Sequence, residues 1–414
     1  MAGKDDTAQP RHCHPQRWSF VLLLALLGLA LGVSALPSPL YPIYQQEWDL
    51  SPLTVTGIFA VYAIGALTSA LSAGPISDAI GRKPVLITGL ILILIGLGIF
   101  LIATQTWQLL LARLVHGTAI GAIIVVAGAA LLDVRPHDGA RNGQVSGAAL
   151  NLGIALTVLG SASAAQWASA PLRMPFAVAA VIACVLLAGA IALAEPHTER
   201  TGGRIRIQRP SVPAAIRTDF WFSGIGILTS WSVLGVFLSL YPALTQRATG
   251  HHSAIFVGIV VAAMAAAAAG AQWFGGALEP RTAAIVGDLG IIVSLGCAVW
   301  ALHTGWTALV ITDSVLLGIT FGLAFGGSLR HLTSVTPADS RGRVMSAYYL
   351  LGYLAMGIPT VVAGALASRF GTWEIFPWFV IAVSVGCLCA AILGMRTADD
   401  RCGETGEETP VALD

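Results

Sequence analysis

The chain has 414 residues, of which 56% are hydrophobic and only 10% are charged, and its formal net charge is +1. An ordinary soluble domain has about 25% charged residues, so a soluble enzyme or binding module is excluded, because too few charges remain to cover a water-exposed surface. The low net charge likewise predicts no nucleic-acid partner. The composition indicates a polytopic membrane protein.

Twelve mostly apolar stretches follow one another, each near the 20 or so residues that a helix needs to cross a membrane. Their links are short, which predicts an all-α bundle of twelve transmembrane helices. The residues before and after the first stretch also fit a secretory signal peptide, but the repeat described below favours a retained span. The predicted spans are 19–42, 54–73, 85–104, 107–132, 144–166, 173–194, 219–243, 254–275, 283–302, 306–330, 343–366 and 374–395.

Lys and Arg residues are distributed unequally between the two sets of links. With a cytoplasmic N-terminus, 18 of the 22 lie in cytoplasmic segments, three in outer loops and one, Arg113, inside a span. Because positive side chains stay on the cytoplasmic side, we predict a multi-pass protein of the cell (plasma or inner) membrane with both termini in the cytoplasm. The predicted parts are a tail 1–18, a six-helix half 19–194, a linker 195–218, a second half 219–395 and a disordered tail 396–414.

Motifs of the first half recur in the second half at an offset of 199–201 residues. Their common order and offset predict two parallel structural repeats, which place a substrate site at their interface near the midplane. The matched pairs are Leu40-Tyr41-Pro42 with Leu240-Tyr241-Pro242, Gly74 and Asp78 with Gly275 and Glu279, Gly117 and Gly121 with Gly318 and Gly322, and Pro136 and Asp138 with Pro337 and Asp339. The four glycines Gly117, Gly121, Gly318 and Gly322 are predicted helix-packing positions.

Two motifs carry a family resemblance. The segment between spans 2 and 3 reads Gly74-Pro75-Ile76-Ser77-Asp78-Ala79-Ile80-Gly81-Arg82-Lys83-Pro84 and resembles the loop signature of the major facilitator superfamily. The segment Arg113-Leu114-Val115-His116-Gly117-Thr118-Ala119-Ile120-Gly121 resembles the span-4 motif of its proton-linked members. The resemblance implies a secondary transporter working by alternating access, with spans 1, 4, 7 and 10 around a central cavity.

The resemblance also implies a cytoplasmic gate that latches when the protein opens outward. Asp78 would then face Arg341 and Arg343, at the start of span 11. From local physics, Gly74 permits a tight helix end, and Asp78 is able to cap backbone N–H groups. The alternative is that the basic residues only set topology. The complete predicted gate consists of Gly74, Asp78, Gly81, Arg82, Lys83, Glu279, Arg341 and Arg343.

Charges inside a membrane are costly and therefore mark candidate functional sites. Arg113 and Asp313 lie at similar depth in spans 4 and 10, exactly one repeat apart. We predict that Asp313 takes up and releases a proton while Arg113 influences its pKa, the alternatives being a static buried pair or an arginine that reaches the outer headgroups. For Asp288, near the inner end of span 9, a capping or interface role is expected.

Several other polar and aromatic residues are candidates for a substrate cavity, with helix packing as the alternative. They are Tyr41, Tyr44, Asn151, Trp231, Tyr241, Gln272 and Tyr353.

Three functions compete. Proton-coupled export of small, largely apolar drugs or metabolites is favoured over proton-coupled uptake of a sugar or organic acid, and a non-transporting receptor is disfavoured because no large extramembrane domain exists. One departure weakens export: residues 143–166 lack the Gly-Pro motif common in span 5 of drug antiporters, whereas Gly357-Ile358-Pro359 occurs in span 11. The sequence contains no phosphate-binding loop, which an ATP-driven pump would need, and no nucleophile–base set that would indicate an enzyme. We therefore expect no cofactor or metal, and as partners a small-molecule substrate, protons and the lipid bilayer, with the protein monomeric.

Overall fold

A computed structural model describes residues 17–135, 139–197, 210–337 and 340–405. Residues 1–16 of the predicted N-terminal tail, 198–209 of the linker and 406–414 of the C-terminal tail lie outside these ranges, as do the repeat residues Pro136, Asp138 and Asp339. Fourteen α-helices occur in them, and no strand does. They are α1 (Arg17–Ala35), α2 (Tyr41–Trp48), α3 (Pro52–Ile80), α4 (Arg82–Ile102), α5 (Thr106–Val134), α6 (Gly139–Trp167), α7 (Met174–Ala192), α8 (Arg217–Ser239), α9 (Tyr241–Thr249), α10 (Ala254–Phe274), α11 (Pro280–Thr304), α12 (Thr307–Val335), α13 (Arg341–Phe370) and α14 (Thr372–Thr405).

Twelve segments of the described chain are long and apolar enough to cross a membrane. The all-α class and the count of twelve spans are therefore confirmed. The predicted first half corresponds to α1–α7 and the second half to α8–α14, and the division at the linker stays a prediction. We name the two ends of the bundle after the predicted orientation, as the cytoplasmic end and the outer end.

The first and seventh spans are interrupted at equivalent places. Pro42 and Pro242 occupy the second positions of α2 and α9. A proline cannot donate a helix hydrogen bond to the preceding turn, but it fits the first turn of a new helix. The interruption places Tyr41 and Tyr241 at the first residue of these short helices.

Two predicted boundaries were wrong. The segment 74–80, expected as a loop, continues α3 to Ile80, with Pro75 inside the helix, and only Gly81 leaves the helical region, at φ 105°. The helix α14 runs to Thr405, so 396–405 is not disordered, because no glycine or proline interrupts the helix between Gly394 and Gly403.

The two halves contact each other at the outer end. The Ser38 hydroxyl donates to the Leu238 carbonyl at 2.7 Å, which joins two residues one repeat apart. The Leu53 N–H donates to the Ser368 hydroxyl at 2.9 Å, and the Ala254 N–H donates to the Gln166 side-chain oxygen at 3.1 Å. The outer end of the interface is therefore closed.

Candidate functional site

Arg113 is completely buried on α5 and points into the first half. Its Nη1 donates to the Ser34 carbonyl at 2.8 Å, and its Nε donates to the Ile58 carbonyl at 3.4 Å. The guanidinium carbon lies 4.9 Å from the ring centre of Tyr62 and 5.5 Å from that of Phe59. Carbonyl oxygens and aromatic faces both stabilise a buried cation, although Nη2 has no hydrogen-bond partner.

Asp313 lies at the equivalent place on α12 and is 2% exposed. Neither carboxylate oxygen has a hydrogen-bond partner. Its electrostatic neighbour is Tyr241, whose hydroxyl also lacks a partner and whose ring stacks on Phe237 with centres 4.5 Å apart. Asp313 is thus a buried acid without a donor.

The structure does not bring Arg113 and Asp313 together. Among the described residues they share no ion pair, and each interacts with the tyrosine at the repeat-equivalent position of its own half, Tyr41 for Arg113 and Tyr241 for Asp313. In this conformation the two charges form two separate sites. The predicted influence of Arg113 on the proton affinity of Asp313 stays a prediction for another conformation.

An aromatic cluster lies on the second half next to the interface. The Trp231 ring centre lies 5.1 Å from that of Tyr353, 5.8 Å from that of Phe325 and 6.5 Å from that of Tyr349. Tyr353 also interacts with Tyr62 of the first half, so the cluster is linked across the interface to the ring beneath Arg113. Trp231 is partly exposed, whereas Tyr353 is buried.

Asn151 and Gln272 meet across the interface of the halves. The Asn151 side-chain nitrogen donates to the Gln272 side-chain oxygen at 3.3 Å, which joins α6 to α10. The Gln272 side-chain nitrogen is buried and has no hydrogen-bond partner. This pair joins the halves, and the Gln272 side-chain nitrogen stays without an acceptor among the described residues.

Tyr44 lies apart from these groups. Its ring packs edge-on against Trp48, with centres 5.1 Å apart. It lines an outer cavity of about 380 Å³ together with Glu47, Phe100 and Arg173. Tyr44 therefore faces a pocket of the first half rather than the interface with the second.

The predicted gate residues Gly81, Arg82 and Lys83 begin α4 at the cytoplasmic end. Arg82 is 6% exposed and forms ion pairs with Asp78 and, at 3.0 Å, with Asp133. The Arg82 and Lys83 backbone N–H groups donate to the Glu195 carboxylate at 2.7 and 3.2 Å. Glu195 therefore accepts from the first N–H groups of this helix, and the capping ability expected of Asp78 stays a prediction.

Other gate candidates do not meet in this conformation. The Arg341 and Arg343 side chains are exposed and make no ion pair with any described residue, Asp78 included. Gly74 lies within α3 and not at a tight helix end, and a Cβ there would make only an ordinary contact with Val125, at 3.7 Å. The cytoplasmic latch is therefore not formed while the outer end is closed.

Glu279 accepts hydrogen bonds from the first turn of the helix that follows it. Its carboxylate accepts hydrogen bonds from the Arg281 N–H at 3.1 Å and from the Thr282 N–H at 2.6 Å. Partial burial raises the pKa of Glu279, but the hydrogen bonds from Thr282 and Arg281 outweigh it and lower the pKa overall. Here Glu279 is the N-cap of α11.

The four predicted packing glycines allow close helix contact. A Cβ at Gly117 or Gly121 would lie 2.1 and 2.3 Å from the carbonyl oxygens of Tyr62 and Ala66 on α3. Gly318 and Gly322 are placed in the same way, with a Cβ 2.1 and 2.7 Å from carbonyl oxygens of α10. Both repeats thus use the same backbone contact between their second and fourth spans.

Two residues were missed in the sequence, and the role expected of a third was partly wrong. Glu195 could have been found, because it is an acid directly after span 6 at the end where span 3 begins. Tyr62 carries no signal in the sequence, since an aromatic residue in a span is ordinary. Asp288 was noted in the sequence with a capping or interface role: it is 1% exposed, eight residues inside α11, and neither oxygen has a hydrogen-bond partner among the described residues, so the capping role is wrong and the interface role stays a prediction.

Comparisons with known proteins agree with this architecture. Residues 20–360 match the Major Facilitator Superfamily. A tetracycline resistance protein, class C, of Escherichia coli is 27% identical over 385 residues, covering 89% of this chain and 93% of that protein. The quinolone resistance protein NorA of Staphylococcus aureus (strain MSSA476) is 25% identical over 230 residues, covering 55% of this chain and 58% of that protein.

A solved structure shares the fold. The human organic anion transporter MFSD10 (TETRAN) superposes with a TM-score of 0.68 at 17% identity, covering 93% of this chain and 100% of that chain. The family match extends over most of the chain, through both halves and the linker. The chain therefore belongs to the Major Facilitator Superfamily and is a multi-pass membrane transporter rather than an enzyme.

Proposed function

We propose that this transporter exports small, largely apolar drugs or metabolites in exchange for protons. The observation that carries the proposal is Asp313, a carboxyl group buried within a span, which accepts no hydrogen bond from any described residue and interacts electrostatically with Tyr241. An intramembrane acid of this kind marks an ion or proton pathway by default.

The physical argument concerns the charge state of Asp313. An ionised carboxylate without a hydrogen-bond donor is strongly unfavourable away from water. In the conformation with the outer end closed, Asp313 therefore holds a proton. Opening of the outer end connects the ionised acid to outside water, from which it takes a proton, and closing carries that proton inward. Binding of substrate from the cytoplasmic side then releases the proton to that side, so that each cycle moves one proton inward and one substrate outward.

The substrate class follows from the surfaces near the interface. Trp231, Phe325 and Tyr349 offer partly exposed aromatic faces, and the free amide donor of Gln272 is the polar group beside them on the neighbouring helix. Apolar walls with few polar groups are typical of small-molecule sites. The direction of transport is inferred from the two resistance proteins to which the chain is similar.

The test uses a bacterial host that lacks its own multidrug pumps. Expression of the chain should raise tolerance to tetracycline, to a quinolone or to a lipophilic dye, and a protonophore should abolish the effect. The Asp313→Asn variant should be inserted normally but give no tolerance. The exposed Asp49 provides a matched control, because Asp49→Asn makes the same chemical change outside the site and should retain full tolerance.

The competing function is proton-coupled uptake of a nutrient, and the missing Gly-Pro motif of span 5 is the feature that favours it. Growth on single sugars or organic acids, measured in the same strain, separates the two. Growth that depends on the chain and on Asp313, with no gain in tolerance, would contradict export while leaving Asp313 as the proton site.

A further inference from the structure

A second buried acid lies in the other leaflet of the same half. Asp288 is eight residues after the start of α11, about 12 Å from the cytoplasmic end at 1.5 Å per residue, whereas Asp313 is about 9 Å from the outer end on the same scale. Asp288 is 1% exposed, and neither oxygen accepts a hydrogen bond. The proton exchange proposed for Asp313 leaves this group without a role.

Four helices surround Asp288, and none brings a cation to it. A Cβ on Gly226 of α8 would lie 3.8 Å from Asp288 Oδ2 and 3.7 Å from the hydroxyl of Ser328 on α12. The titratable groups that interact with Asp288 are Tyr348 of α13 and Cys387 of α14. Within the described ranges, no Lys, Arg or His forms an ion pair with it.

This environment decides the charge of Asp288. Removing an unpaired carboxylate from water costs far more than removing the neutral acid. None of the described hydroxyls around it donates to Asp288: Ser328 and Tyr348 share a hydrogen bond of 2.7 Å, and the buried Ser223 hydroxyl, one turn before Gly226, has no hydrogen-bond partner. Asp288 is therefore neutral here and carries a proton.

Loss of that proton would rearrange the hydroxyls. An ionised Asp288 needs donors, and Tyr348 supplies one by accepting the hydrogen bond from Ser328 and turning its own O–H to the carboxylate, since either hydroxyl of this pair can be the donor. Tyr348 belongs to α13, which begins with the predicted gate residues Arg341 and Arg343 and continues to Tyr353 in the aromatic cluster. A change at Asp288 is thus passed to the helix that joins the gate to the interface.

We propose that Asp288 is a second proton-binding site, located in the cytoplasmic half of the second repeat, and that Tyr348 transmits its charge state to α13. One proton binds the carboxylate to give the neutral acid, and the same proton returns to water when the site opens. The proposal rests on the proton-coupled function proposed above and adds a site on the cytoplasmic side to the outer site at Asp313.

Infrared spectroscopy of the purified full-length protein tests this without a transport assay. A protonated carboxyl gives a C=O band that shifts in D₂O, and the wild type should show two such bands, one from Asp313 and one from Asp288. The Asp313→Asn variant removes the first and leaves the Asp288 band. In that background, Asp288→Asn should lose the remaining band, Asp288→Glu should keep a displaced one, and the exposed-site control Asp49→Asn should leave it unchanged. A C=O band that persists in a folded Asp313→Asn/Asp288→Asn double variant would overturn the proposal.

Two further arms complete the experiment. Tyr348→Phe should shift the Asp288 band, whereas the neighbouring change Tyr349→Phe should leave it in place; an unmoved band in Tyr348→Phe would overturn the transmission to α13. Loss of the Asp288 band on adding sodium but not potassium would assign a sodium site and overturn the proton assignment. Failure of the exporter proposal would appear instead in the tolerance assay, with the Asp288 band intact.

Discussion

The two halves build the same site with opposite charge. In each half, the tyrosine of a Leu-Tyr-Pro motif faces a charged residue of the fourth helix of the repeat: Tyr41 faces Arg113 in the first half, and Tyr241 faces Asp313 in the second. Arg113 finds two carbonyl acceptors and two aromatic faces, whereas Asp313 finds no donor.

The difference follows from the backbone hydrogen-bonding groups that neighbouring helices present to a buried side chain. Inside a packed helix bundle, backbone N–H groups are used within each helix, while carbonyl oxygens keep a second lone pair for another donor. A buried arginine can therefore be satisfied by neighbouring helices, but a buried aspartate cannot. The same scaffold thus holds a cation with acceptors in one half and an acid without a described donor in the other.

The aromatic neighbours differ between the halves as well. Phe59 and Tyr62, which lie over the Arg113 guanidinium, correspond to Val261 and Met264 at the offset of 202 that relates the helix caps Ser51 and Ser253 and the glycine contacts of α3 and α10. The second half has therefore lost the groups that stabilise a charge without gaining any donor. This asymmetry predicts that the first site contributes to stability and the second to coupling.

The largest expected effect on stability separates the two sites. Arg113→Ala removes the donor from two buried carbonyls and should lower the free energy of unfolding by about 3 kcal/mol. Asp313→Asn breaks no hydrogen bond and should change it by less than about 1 kcal/mol. Thermal unfolding of the purified variants measures both, and equal losses would show that the two sites are not different in kind.

An intermediate effect should be the same in both halves. Gly117→Ala and Gly318→Ala each place a methyl group 2.1 Å from a carbonyl oxygen of the adjacent helix, and overpacking should cost about 2 kcal/mol. Gly128→Ala, on the same helix as Gly117 but facing open space, is the matched control, and it should not destabilise, because Ala favours a helix over Gly by about 1 kcal/mol. If the control lost as much stability as Gly117→Ala, contact between the helices would not be the cause.

The smallest expected effect is also symmetric. Ser51 and Ser253 are the N-caps of α3 and α10, where their side chains accept from the Thr54 and Phe256 N–H groups at 3.1 and 3.3 Å. Replacement of either by Ala should cost about 1 kcal/mol, and replacement by Gly should cost less. Unfolding of the single variants checks this, and a loss confined to one half would contradict equivalence of the caps.

The fold could be predicted because each of its signals is local. The length of the apolar stretches predicted the twelve spans. The recurring Leu-Tyr-Pro and Gly-x-x-x-Gly motifs predicted two repeats and placed the glycines at close helix contacts. The boundaries after Gly74 and Met395 could not be predicted, because a proline is tolerated within α3 and polar residues continue α14.

The sites were harder to predict, because partners depend on rotation of the helices and on the conformation. The sequence predicted that Arg113 and Asp313 are important but suggested that they act on each other, whereas the structure gives each a separate tyrosine. Asp288 is a single acid in a span, and its position alone does not show whether it caps a helix or lies unpaired. Glu195 acts on Arg82 from more than 110 residues away, which no local pattern shows.

The central claim is that Asp313 carries the coupled proton, and proton-driven transport in proteoliposomes tests it most directly. With tetracycline or the lipophilic dye as substrate, the wild type should accumulate substrate against its gradient when a pH gradient is imposed. Asp313→Asn should still equilibrate substrate down its gradient but should lose all uphill accumulation, while Asp49→Asn behaves as the wild type. Uphill accumulation retained by Asp313→Asn would contradict the account.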